Sequence, residues 1–164
     1  MKLETGLCLG YYPGVVGRIV ALHGEYYHEH WGFDVTFETQ VASELSEFVA
    51  RFDPNRDGLW TVLPDRQFAG AIAIDGHKAE TEGARLRWFI VAPHCHGKGL
   101  GSVLIDQALG FCRSRGFARV YLWTFRGLVS AARLYESRGF RLTEEHSVAQ
   151  WGGLIAEQKF ELDL

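Results

Sequence analysis

Residues 91–102 read VAPHCHGKGLGS, and no other segment of the chain is as informative about its architecture. They follow the apolar run RLRWFIV at residues 85–91 and precede apolar residues at helical spacing, which predicts a turn between a strand and a helix. Gly97, Gly99 and Gly101 alternate within this turn. Glycine permits backbone angles that other residues avoid, and the amides at a helix N-terminus attract anions. The segment therefore predicts a site for a phosphate-bearing ligand.

Two common phosphate-binding loops do not fit this spacing. A nucleotide P-loop requires GxxxxGK followed by Ser or Thr, whereas Lys98 lies between two glycines. A dinucleotide fingerprint requires GxGxxG, and counting from Gly97 places Ser102 at the third glycine position. The remaining interpretation is that the glycine turn binds the phosphate group of a coenzyme.

The length and composition of the chain predict one soluble domain spanning residues 1–164. The 17 basic and 20 acidic residues give a net charge of −3, which does not suggest a nucleic-acid partner. The 3 cysteines form no CxxC pair, so we expect a reducing, cytoplasmic location. No apolar run reaches the roughly 18 residues of a membrane helix, so we expect no membrane contact.

The order of apolar patterns predicts an α/β fold. A strand is predicted at residues 3–9, and helices are predicted after Pro13 and from Asp34. The alternating runs within residues 59–74 indicate a hairpin. The glycine turn and its helix follow. The C-terminal third then predicts a strand at 120–125 buried on both faces, a helix ending at Gly139, and strands beginning at residues 140 and 159.

Two ordered motifs identify a family resemblance. Residues 96–101, HGKGLG, resemble the acyl-CoA loop of the GNAT acetyltransferase superfamily, in which Arg or Gln is followed by two residues, Gly, one residue, and Gly or Ala. Residues 131–140, AARLYESRGF, are similar to the last helix of the same family. The resemblance implies an α+β sandwich: a mixed, largely antiparallel sheet of about seven strands with a splayed parallel pair at the acyl-CoA site and helices on both faces.

A narrower resemblance covers most of the chain. HGEYY at residues 23–27, WGFD at 31–34 and FELDL at 160–164 are similar to the acetyltransferase domain appended to MarR-type transcription regulators.

The superfamily resemblance implies a reaction and a set of roles. An acetyl group would pass directly from acetyl-CoA to an amine, which is a small molecule or a peptide. The backbone of Phe89, Ile90 and Val91 would hold the pantetheine arm. Tyr135 would be the acid that protonates the CoA thiolate, although its place on an apolar helix stripe also fits a core aromatic. The pyrophosphate would rest on the loop amides of His96, Gly97, Lys98, Gly99, Leu100, Gly101 and Ser102.

The acceptor side of the site is less defined by sequence. An alkylamine has a pKa of about 10.4, so a base or a water relay must remove its proton. Candidate bases are Glu25, Glu29 and His23, each of which also fits a solvated or capping role. The aromatic residues Tyr26, Tyr27 and Trp31 are candidates for the acceptor pocket by cation–π contact, with core packing as the alternative.

Two positions depart from the family pattern. His96 stands where Arg or Gln is usual, and Leu128 stands where many members have an asparagine seven residues before the helix tyrosine. The loop binds through its amides, so we expect the change at His96 to be tolerated. The missing asparagine and the lack of an identified base favour an alternative function, a catalytically weak regulatory module that binds acyl-CoA. The HCH run at residues 94–96 lacks partners at zinc-ligand spacing, so we expect no metal. The alternating C-terminal strand suggests an exposed sheet edge and a possible homodimer.

Overall fold

The computed structural model describes residues 6–164. Within them, seven strands and four helices follow one another in the order that the sequence predicts. Of the strand predicted at residues 3–9, residues 3–5 lie outside the described residues, and the remainder is a short strand. The elements are β1 (Leu7–Leu9), α1 (Val15–Trp31), α2 (Val35–Ala50), β2 (Gly58–Val62), β3 (Gly70–Asp75), β4 (Ala84–Val91), α3 (Leu100–Ser114), β5 (Arg119–Phe125), α4 (Val129–Ser137), β6 (Arg141–Gln150) and β7 (Gly153–Asp163).

All seven described strands form one sheet in the order β1-β2-β3-β4-β5-β7-β6. Every neighbouring pair is antiparallel except β4 and β5, which are parallel. This arrangement confirms the predicted α/β class with a mixed, largely antiparallel sheet. In the described chain, β4 and β5 pair at Ala84–Val120 and Arg85–Tyr121, and beyond these positions the ladder stops. The two strands therefore open a V toward their carboxyl ends.

A bulge in β4 accompanies this opening. The register between β3 and β4 shifts by one residue between the pairs Ala71–Ile90 and Ala73–Arg87, so β4 carries one extra residue. Trp88 lies at the shift and has a φ of 46°, in the left-handed region. A bulge bends its strand and redirects the neighbouring side chains. It thus turns the end of β4 away from β5 and prepares the space between them.

Each face of the sheet is covered by its own core. On one face, α3 buries the predicted apolar stripe, including Leu104, Ala108 and Cys112. On the other, α1 and α2 bury Ile19, Leu45 and Phe48. α2 begins next to Asp34 as predicted, and Asp34 caps the helix, since its side chain accepts a hydrogen bond from the amide of Thr36.

Two predictions about the C-terminal half are wrong. β7 lies between β5 and β6, so the alternating final strand is not an edge, and the homodimer expectation loses that support. The strands at the two edges are β1 and β6, and the sequence predicts only the beginning of β6, near residue 140. In addition, β5 is not buried on both faces: Tyr121 and Trp123 are half-buried. The reason is that the core beneath α1 and α2 includes Phe125 of β5 but neither of these residues.

None of the helices within residues 6–164 combines the length and apolar character needed to span a membrane.

Candidate active site

The glycine loop has the geometry predicted from its sequence. Gly97 and Gly99 have φ values of 76° and 79°, which few other residues adopt. Gly99 is the N-cap of α3, and within the described residues no side chain caps this end of the helix. The first amides of α3 are therefore available to an anion, and the helix dipole adds a partial positive charge there.

His96 stabilises the loop in a way that the sequence did not reveal. Its ring nitrogen Nε2 donates a hydrogen bond to the carbonyl oxygen of Val91 over 2.8 Å. This bond ties the start of the glycine loop back to the end of β4. His96 thus holds the loop shape through its side chain, and its own amide donates to the carbonyl oxygen of Pro93, so this amide, which was predicted to bind the pyrophosphate, is already engaged.

A cavity of about 610 Å³ opens in front of this loop, and we call it the loop cavity. It runs from the end of β4 across the loop to the start of α4, with α1 forming the opposite wall. It brings together most residues predicted to bind the cofactor; of the predicted set in the described chain, Lys98 and Ser102 are not part of its wall. The wall includes Phe89, Ile90, Val91, Cys95, His96, Gly97, Gly99, Leu100, Gly101, Gly127, Leu128 and Leu134.

A second cavity, of about 200 Å³, lies where β4 and β5 separate, and we call it the sheet cavity. Its wall also includes parts of α2 and β7. Tyr27 and Phe89 line both cavities, so the two spaces adjoin at these residues. Tyr26 and Trp31, which are predicted to lie beside an acceptor, line the loop cavity.

Tyr135 lies in the wall of the sheet cavity and is 5% exposed. Its ring packs against Phe89, Phe140 and Phe160 at centroid distances of 6.0, 5.8 and 5.7 Å. Burial, and to a smaller extent the nearby Tyr27, raise the pKa of the Tyr135 phenol above its usual value. The hydroxyl is therefore protonated at neutral pH and can donate a hydrogen bond or a proton into the cavity.

His23 also lines the sheet cavity and is 5% exposed. Burial lowers the pKa of its imidazole to about 4, against an opposing contribution from its hydrogen bond with Ile19. The ring is thus neutral at pH 7. Because Nδ1 lies 2.8 Å from the carbonyl oxygen of Ile19, it carries the hydrogen, which leaves Nε2 as the accepting nitrogen.

The two glutamates predicted as bases are placed elsewhere. Glu25 and Glu29 are exposed, and neither belongs to the wall of either cavity described above. The carboxylates that do line the sheet cavity are Glu44 on α2 and Glu157 on β7. Sequence reasoning missed both because the topology, and not chain proximity, brings them together.

The HCH run does not form a metal site. His94 is exposed, Cys95 is buried, and His96 is bonded to the Val91 carbonyl. Within residues 6–164, no three His, Cys, Asp or Glu side chains are grouped as metal ligands would be.

Comparison with known proteins places this architecture in a family. The model of the acetyltransferase (GNAT) family matches residues 18–140. The chain is 27% identical over 121 residues to an uncharacterized N-acetyltransferase of Schizosaccharomyces pombe, covering 73% of each. It is 35% identical over 103 residues to mycothiol acetyltransferase of Beutenbergia cavernae, covering 62% of this chain but only 33% of that protein. Spermidine N-acetyltransferase of Vibrio cholerae, crystallised with CoA and spermine, shares the fold with a TM-score of 0.71 at 19% identity over 98% of this chain and 96% of that one.

The chain therefore belongs to the acetyltransferase (GNAT) family. It is an N-acetyltransferase, and acetyl-CoA is the donor of its acetyl group. This confirms the superfamily resemblance drawn from the glycine loop and the tyrosine helix.

The wall formed by Trp31 gives a prediction for the donor. A Cβ atom at Gly127, where φ is 115°, would overlap the indole ring of Trp31. We expect Gly127→Ala to push Trp31 into the loop cavity and raise KM for acetyl-CoA about 10-fold. Gly116→Ala is the matched control, since Gly116 also has a positive φ of 71° but open space around it. Equal KM values for the two variants would contradict this role of Trp31.

The buried imidazole of His23 gives a prediction for stability. Its pKa is about 4 in the folded chain against the usual 6.5, so the unfolded chain binds the proton more readily between these values. The contribution of the neutral His23 ring to stability is therefore complete above pH 6.5 and is lost as the pH falls toward 4. We expect this residue to remove about 3 kcal/mol of unfolding free energy between pH 7 and pH 4. Denaturant titrations of His23→Gln should lack this loss, whereas the exposed control His77→Gln should retain it.

Proposed function

We propose that acetyl-CoA occupies the loop cavity and that the acceptor amine enters through the sheet cavity. The observation that carries this proposal is the meeting of the two cavities at Tyr27 and Phe89, with Tyr135 in the adjoining wall. The thioester would lie at this junction, so that the amine nitrogen and the acetyl carbon approach from opposite sides.

The donor is held mainly by backbone groups. The pyrophosphate rests on amides of residues 97–102, where uncapped N–H groups and the α3 dipole supply a positive potential. The pantetheine arm runs along Phe89, Ile90 and Val91, where the V between β4 and β5 leaves the β4 backbone without its parallel partner. The pyrophosphate therefore anchors the molecule, and the strand directs the thioester to the junction.

The chemical step is a direct transfer. The neutral amine nitrogen attacks the acetyl carbon, the new C–N bond forms, and the C–S bond breaks. Tyr135 gives its phenolic proton to the departing sulfur and regains a proton from solvent. Its raised pKa keeps the hydroxyl protonated at neutral pH, so that it is available to donate to the sulfur.

Of the three residues predicted as bases, His23 is the one that contributes to the cavity wall. Its neutral Nε2 accepts a hydrogen bond from the amine N–H and orients the nitrogen lone pair toward the thioester. Because its pKa is about 4, the imidazole is a weak base, and cavity water carries the proton away.

The order of bond changes can be tested by kinetics and mass spectrometry. Direct transfer predicts that initial rates at varied acetyl-CoA and amine give intersecting double-reciprocal lines. It also predicts that the intact mass of the protein is unchanged after incubation with acetyl-CoA alone. Parallel lines, together with an acetylated protein that passes its acetyl group to the amine, would show a covalent intermediate and overturn this mechanism.

The narrower resemblance to the acetyltransferase domain appended to MarR-type regulators stays a prediction, as does the cytoplasmic location.

A further inference from the structure

Two arginines of β4 line the sheet cavity, and they differ in their partners. Arg85 and Arg87 are two residues apart on one strand, so they lie on the same face of the sheet. Arg87 is neutralised: its guanidinium lies 2.5 Å from a Glu44 carboxylate oxygen and 3.6 Å from one of Asp75. It also stacks over the ring of Trp88 at 4.2 Å. Arg87 is thus a fixed part of the wall.

Arg85 has no such partner. In the part of the chain that the structure describes, no carboxylate lies within 4.0 Å of its guanidinium, although the residue is half-buried. Burial is the largest cause that lowers the pKa of Arg87, and the positive charge of Arg85 is the second, as expected when that charge is not neutralised. A partly desolvated guanidinium gains free energy from a bound anion, most of all from a carboxylate that accepts two hydrogen bonds.

The cavity also has two chemically different ends. Arg85 pairs with Tyr121, where β4 and β5 are still joined. Glu157 pairs with Phe125, four residues further along β5 and so about 13 Å away along the strand. The ring of Phe125 contacts that of Tyr27 at a centroid distance of 5.7 Å, which places the Glu157 end at the junction of the cavities. The junction end thus carries a carboxylate and the far end a free cation.

The size and lining of the cavity limit the ligand further. A volume of about 200 Å³ is below the range of about 300–1,000 Å³ that is typical of sites for drug-sized ligands. Aromatic rings form much of the wall and suit an apolar body between the two charged ends: Phe37, Trp88, Trp123, Phe125 and Trp151.

We infer that the acceptor is a small amino acid in which an apolar chain separates the amine from the carboxylate, and that Arg85 binds this carboxylate. The inference rests on the proposed function. The amine nitrogen lies at the junction beside Tyr27 and Tyr135, and the carboxylate lies at the closed end of the V. Arg85 therefore determines specificity and takes no part in the proton transfers.

The test compares acceptors that differ only in the carboxylate. Thiol release from acetyl-CoA is measured with 5-aminopentanoate against butylamine and with 6-aminohexanoate against pentylamine. We expect the better of the two carboxylate acceptors to exceed its decarboxylated partner about 10-fold or more in kcat/KM. Arg85→Gln should remove about 10- to 100-fold of kcat/KM for that acceptor, mostly through KM, as expected for one lost charge-assisted contact.

Matched controls separate binding from folding. Arg85→Gln should leave kcat/KM for the decarboxylated amine and KM for acetyl-CoA within about 2-fold, and Arg85→Lys should restore part of the carboxylate preference. Arg141→Gln, the same change at an exposed position on β6, should alter none of these values.

Two outcomes would overturn the inference, and they are distinguishable. If decarboxylated amines are acetylated as well as their carboxylate partners, or if Arg85→Gln lowers both equally, the inference fails while the proposed function stands. If no amine of either kind promotes thiol release, the proposed function fails and the inference with it.

Discussion

Removing one hydroxyl group, in Tyr135→Phe, is expected to lower kcat for acetyl transfer about 100-fold. The phenol is the proton donor that we place beside the departing sulfur, and a positioned general acid contributes rate factors of about this size. The ring would keep its packing against Phe89, Phe140 and Phe160, so the folded structure should persist. The change is measured as the steady-state rate of thiol release, with the best amine acceptor at a saturating concentration.

The control for this variant is Tyr11→Phe, the same substitution at a residue that is 62% exposed. It should leave kcat unchanged. Calorimetry should give the same Kd for CoA with Tyr135→Phe as with the unmodified protein, within about 3-fold, because the hydroxyl acts on the sulfur only as the C–S bond breaks. If Tyr135→Phe kept the full kcat, Tyr135 would be only a packed core residue, and another group would have to protonate the thiolate.

The second large effect is expected from Gly99→Val. Gly99 has a φ of 79°, which a β-branched residue adopts only at a cost. The loop must then rearrange at the N-terminus of α3, and the amides no longer converge on the pyrophosphate. Loss of two charge-assisted hydrogen bonds raises the Kd for CoA about 100-fold or more.

The specificity of this effect can be measured with a shortened donor. Acetyl-pantetheine lacks the pyrophosphate, so Gly99→Val should not change kcat/KM for it, while the preference for acetyl-CoA over acetyl-pantetheine should largely disappear. Gly110→Val provides the matched control, since Gly110 is an exposed position of the same helix with open space around it. An unaltered preference in Gly99→Val would mean that the pyrophosphate binds elsewhere.

Local chemistry explains why the donor side could be predicted from the sequence. The positive φ values of Gly97 and Gly99 follow from glycines at a strand-to-helix turn, and the helix that follows shows its own periodicity. Asp34 and the apolar stripe after it fixed the start and face of α2 in the same way. These features depend on residues that are close together in the chain.

The acceptor side depends on contacts between distant segments. The bulge at Trp88 results from a register shift between β3 and β4, which no pattern within β4 reveals. Arg85, Glu44 and Glu157 meet in one cavity because β4, α2 and β7 are neighbours in the fold. For the same reason the sequence alone does not show that α1 presents Tyr26 and Trp31 to the loop cavity.

Amine-dependent turnover of acetyl-CoA is the central property of the proposed enzyme. The decisive measurement is the initial rate of CoA thiol release by the unmodified protein, with and without a panel of amines that includes amino acids, polyamines and peptides. We predict release that requires an amine and matches the N-acetylated product mole for mole. Tight binding of acetyl-CoA without thiol release for any amine would contradict the proposed acetyltransferase activity. It would support a regulatory module that binds acyl-CoA.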